Sequence, residues 1–80
     1  MKIPAIKQLV ENHSIHDLVQ AEEALLEEQE PHFEIPGEDE GEKLTHVFAA
    51  IFILNHIQEH KTDFVTALRE YTKKVRVSIN

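Results

Sequence analysis

GEDEGEKLTHVFAAIFILNHIQEH, residues 37–60, is the stretch that decides the fold. Four carboxylates fall within its first six positions, Glu38, Asp39, Glu40 and Glu42, and eight apolar residues in a row follow at 47–54. Asp39 and Glu42 have the spacing of a capping box, and carboxylates near a helix N-terminus each stabilise it by about 0.3–1 kcal/mol at best. The apolar run lies between His46 and the pair Asn55 and His56. It is far shorter than the roughly 18–20 residues of a membrane span, so it reads as a buried helix segment. The pattern predicts one long helix over about residues 40–60, roughly 30 Å in length at the helical rise.

Working outward, Pro4 suits a first helical turn, and Ile6, Leu9 and Val10 give a short apolar stripe, predicting a helix over residues 4–11 with Asn12 as a left-handed stop. Ser14 is the next N-cap, with Asp17 placed to favour the helix dipole. A second helix follows from Ile15 to about Gln29, ended by Pro31. Residues 31–38 hold two prolines and a glycine around Phe33 and Ile35, which predicts an extended connector, with a short strand as an option, anchored to the core by those two side chains. Beyond the long helix, Lys61 and Thr62 form a tight turn, Thr62 caps a fourth helix, and Phe64, Ala67, Leu68, Tyr71 and Val75 recur at helical spacing. The expected fold is all-α. It is a small four-helix arrangement of short first helix, second helix, extended connector, long apolar third helix and fourth helix, in one domain over residues 1–80.

At this size one core is marginally stable unless disulfides, a metal or oligomerisation help. There is no cysteine, which excludes disulfides, thiolate nucleophiles and cysteine-ligated metal sites. Self-association is the staple that remains. The first twelve residues lack the apolar segment of a secretory signal, and the expected location is the cytoplasm. The net charge of −7 is unevenly spread: residues 21–42 carry ten acidic and no basic side chains, and residues 43–80 carry six basic and three acidic. Such an acidic block repels a phosphate backbone, so no nucleic-acid partner is expected. The first two helices do match a helix-turn-helix in their lengths, but the would-be recognition helix carries Glu22, Glu23, Glu27 and Glu28 and neither Lys nor Arg.

Three segments invite a comparison: AEEALLEEQEP at 21–31, GEDEGEKLTH at 37–46 and TALREYTKKVR at 66–76. They resemble an uncharacterised family of small acidic helical proteins from Bacteroidetes. The resemblance implies a stand-alone bacterial protein of this length, and it brings neither an assigned activity nor a catalytic residue.

Turned at 100° per residue, the long helix spreads Leu44, Val47, Phe48, Ala50, Ile51, Phe52, Leu54 and Ile57 over about two thirds of its circumference. The narrow stripe left over holds Glu42, His46, Ala49, Ile53, His56 and His60. Small Ala49 and Ala50 permit close approach of a second helix, and Phe48, Ile51, Phe52 and Leu54 provide apolar area that one small chain can hardly cover. Two chains should therefore meet through this helix, with Ala49, Ile53 and His56 at the seam, as a homodimer or a higher even-numbered assembly. Protonating histidines at such a seam, below about pH 6.5, should weaken it. Two pairs at four-residue spacing, Glu42 with His46 and His56 with His60, are candidate metal ligands. The ends of the stripe are about 21 Å apart along the helix, too far to share one ion. The Glu-x-x-His repeat of carboxylate di-iron bundles is missing, no cofactor is expected, and no catalytic set is visible. The functional expectation is therefore a self-associating interaction or regulatory module, with Glu27, Glu28, Glu38, Asp39 and Glu40 facing a basic protein partner. A metal-binding protein or metal-dependent enzyme using the His and Glu residues of the third helix is the alternative.

Overall fold

The structure, a computed structural model, describes residues 2–79, with side chains for residues 2–75. Four helices follow in chain order: α1 (Ile3–Asn12), α2 (Ile15–Leu26), α3 (Glu40–His60) and α4 (Phe64–Ile79). Among the described residues there is no strand, so the fold is all-α and the connector carries no β-structure.

Local chemistry explains most of the boundaries. Pro4 lies in the first turn of α1, where its missing N–H costs nothing. α1 runs through Asn12, and the chain leaves it through an extended His13 rather than a left-handed Asn12. Ser14 and Asp17 form a reciprocal capping box that starts α2, the Asp17 N–H donating to Ser14 Oγ (3.2 Å) and the Ser14 N–H to Asp17 Oδ2 (3.4 Å). α2 stops at Leu26, three residues before the end set by the Pro31 argument. There the Gln29 N–H reaches the Ala24 carbonyl (2.7 Å) and the Glu28 N–H that of Leu25 (3.2 Å), with Glu28 left-handed at φ 59°. This is the Schellman closure, built here with a glutamate where glycine is usual.

Asp39 caps α3, accepting the Glu42 N–H at 2.7 Å. The Glu42 carboxylate reaches back one residue further than a standard box and accepts from the Glu38 N–H at 3.0 Å. Lys61 closes α3 in the left-handed region. The cap of α4 is Asp63 rather than the expected Thr62: Oδ1 of Asp63 accepts the Thr66 N–H at 2.8 Å.

α3 is the hub. It packs against each of the other three helices, and no other helix pair makes a comparable contact. Around it lies a core of Ile6 and Leu9 from α1, Leu18 and Ala21 from α2, Ile35 from the connector, Val47, Ala49, Ala50 and Ile53 from α3, and Ala67 from α4. Ile35 is buried, and Phe33 is partly buried with its ring stacked on that of His13 at 3.7 Å between centroids, so both expected anchors pin the connector.

Candidate functional site

Three surfaces carry the residues singled out by sequence. The first is buried. His46 has no exposure, and it is the polar side chain enclosed within the described core. Its Nε2 accepts the Lys2 N–H at 3.0 Å, and its Nδ1 lies 2.8 Å from the Pro36 carbonyl. A carbonyl can only accept and a backbone N–H can only donate, so the proton must sit on Nδ1 and Nε2 must be bare. The imidazole is therefore neutral, and its tautomer is fixed by two backbone partners from different parts of the chain. Gly37 makes the approach feasible. At φ +150° it adopts a conformation that L side chains rarely take, and a Cβ there would meet Lys43 Cγ at 2.7 Å and the Lys43 nitrogen at 2.9 Å.

This arrangement corrects the reading of the narrow stripe on α3. His46, Ala49 and Ile53 have no exposure and point into the chain's own core, so Ala49 and Ile53 cannot form an outward seam. The physical reason is that small residues and one hydrogen-bonded histidine are what let α1 and the connector approach α3 closely. His46 also cannot serve as a metal ligand beside Glu42 in this conformation, since both ring nitrogens are engaged and the Glu42 carboxylate is held by Glu38. Among the described residues no group of three or more His, Asp or Glu side chains is placed to hold a metal ion.

The second surface is an aromatic ladder between α3 and α4. Phe52 lies 6.0 Å from His56 and 5.4 Å from Tyr71, and His56 and His60 follow at 4.4 Å, all between ring centroids. Lys74 places its ammonium 5.4 Å over the Phe52 ring. Burial pushes the Tyr71 phenol above its ordinary value. His56 is half-buried and His60 exposed, so the pair borders an open groove with Glu59, Glu70 and Lys74 along its walls.

The third surface is the outward face of α3. Leu44, Phe48, Ile51 and Asn55 share it, with Phe52 at its margin beside α4. Phe48 is 42% exposed, and Leu44, Ile51 and Phe52 are half-buried. Phe48, Ile51 and Phe52 belong to the apolar area that the sequence suggests one small chain can hardly cover. The acidic residues lie elsewhere: Glu27 and Glu28 at the end of α2, and Glu38, Asp39 and Glu40 around the start of α3, all exposed. Asp39 is occupied as a cap, and Glu38 makes an exposed ion pair with Lys2 at 3.7 Å.

Over residues 1–80 the chain matches the model of a family of unknown function, DUF6952. It belongs to the DUF6952 family. That fits the resemblance to an uncharacterised family. For this DUF6952 member, no curated protein and no solved structure gives a match. No described helix of this DUF6952 chain is long and apolar enough to cross a membrane.

Proposed function

We propose that this protein is a small self-associating interaction module of the cytoplasm, in which two copies meet across the outward face of α3 and leave an acidic side free for a basic protein partner. One observation carries the reading: the central helix is apolar over most of its circumference, and Phe48 stands 42% exposed with Leu44, Ile51 and Phe52 half-buried beside it. Single exposed apolar residues are ordinary, but a stripe of four on the hub helix of an 80-residue chain is a surface suited to covering.

A second copy is the occupant that suits this face, because its middle is apolar and a two-fold axis sets the same apolar residues against each other. Glu38, Asp39 and Glu40 cluster at the start of α3, whereas Glu59, Lys61 and Asp63 nearly cancel at its far end, so an antiparallel pairing keeps the two acidic clusters apart. A two-fold axis near Phe48 and Ile51 lays the helices antiparallel and brings the acidic end of each toward the Lys61 end of the other. The exposed carboxylates of Glu27 and Glu28, just past the end of α2, supply the acidic side.

Sedimentation equilibrium tests the reading. The wild type should run at twice its 9.3 kDa chain mass, and Phe48→Glu should run as a helical monomer. A wild type that stays monomeric up to high concentration would refute self-association. A dimer indifferent to Phe48→Glu would place its seam elsewhere and refute this face.

A further inference from the structure

We infer that His46 is a proton-operated latch: while neutral it holds α1 and the connector against α3, and on taking up a second ring proton it lets α1 go. The inference rests on the hydrogen-bond geometry alone and is independent of the assembly proposed above. His46 joins the entry to α1 at Lys2, 44 residues away, to the connector at Pro36 and to α3 itself. With Nδ1–H already given to Pro36, a second proton can go only to Nε2, which faces the Lys2 N–H at 3.0 Å. Two donors would then oppose each other inside a fully buried site, and the contact must open.

Neither hydrogen-bond partner of the ring is a carboxylate. Its partner from α1 is a backbone N–H, and the Lys2 ammonium is itself a cation, drawn toward Glu38 at 3.7 Å. Its partner from the connector is a carbonyl, and Glu38, two residues on, is turned to Lys2. On α3 the preceding turn carries Lys43, another cation, and Glu42, whose Oε1 is taken by the Glu38 N–H. Glu42 and Glu38 remain anionic and temper a charge on the ring, but neither hydrogen-bonds it, and the clash at Nε2 is what opens the latch.

The segment released is defined by what Lys2 also does. Its carbonyl accepts the N–H groups of Ala5 (3.1 Å) and Ile6 (3.2 Å), the first bonds of α1. Losing the latch therefore frees the start of α1. A helix of ten residues cannot persist alone in water. Opening uncovers Ile6 and Leu9 together with the inner side of α3, so the proton is coupled to exposure of core surface.

Amide hydrogen exchange, corrected for its intrinsic pH dependence, reads the latch directly. The open-to-closed ratio at Ala5 and Ile6 should rise about tenfold or more from pH 7.5 to pH 5.0, the range over which histidine side chains change charge. His46→Gln keeps one donor and one acceptor without titrating, and should abolish most of that rise while remaining folded. A wild type with no pH dependence, or a variant with the full rise, would overturn the latch. Should His46→Gln fail to fold, ring-nitrogen chemical shifts of the wild type decide the matter. Proton uptake at His46 in step with lost protection at Ala5 and Ile6 supports it. An Nε2–H tautomer at pH 7.5, or protonation without lost protection, overturns it.

Discussion

The two glycines bracket the entrance to α3 and should respond to the same substitution with opposite sign. Gly37 is left-handed at φ +150°, and a Cβ would run into the backbone and side chain of Lys43, so Gly37→Ala should cost about 1–3 kcal/mol. Gly41 lies within α3, where a Cβ would meet only Asp39 Oδ1 at 3.4 Å, and Gly41→Ala should stabilise by about 0.5–1 kcal/mol. Urea denaturation midpoints of the two variants test the pair, and equal shifts would contradict the local geometry. At this scale the sequence was readable where a side chain's chemistry names its own task. Ser14 and Asp39 cap the helices expected of them. His46 was not readable in this way, because its two partners are backbone atoms that are 44 and 10 residues away along the chain.

Among the elements, the start of α4 is the one with a defined acid response. The Thr66 hydroxyl first, and then its N–H, hold the Asp63 carboxyl below its ordinary 3.8, with Arg69 adding to the effect. A carboxylate with a depressed folded-state value stabilises the helix start above the ordinary value, and that contribution is lost as pH falls through the lowered one. Protection of the Thr66 amide should therefore decline below about pH 3.8, and Asp63→Ala should remove the acid-sensitive part. An unchanged acid profile in the variant would mean that another group controls the start. The four helices were legible as elements because each has a helical period, and each starts at a cap-type residue or, for α1, with Pro4 in the first turn. Boundaries were less so. Thr62 and Asp63 are adjacent and both are cap-type residues, and the end of α2 depends on Glu28 accepting a left-handed backbone for which its side chain gives no signal.

At the scale of the whole molecule, the orientation of α3 was the feature that sequence could not supply. A helix apolar on most of its circumference has no preferred inward face of its own, so the other helices decide it. They chose the side with His46, Ala49 and Ile53, where small residues allow close approach. Ile53→Val should accordingly cost about 0.5–1.5 kcal/mol in unfolding free energy, a core-like value. Equal stability of variant and wild type would argue that this side is not enclosed.

The hub arrangement also sets an order for folding. Contacts between α3 and α4 are local, joined by a short turn, and can form early. The Lys2 to His46 contact must close a span of 44 residues, which carries a larger entropic cost and is rewarded only once the connector is in place. Because α1 and α2 rest on α3 far more than on each other, neither can provide a nucleus. The α3–α4 hairpin is the natural seed, α1 docks last, and the last contact made in folding is the first exposed to loss.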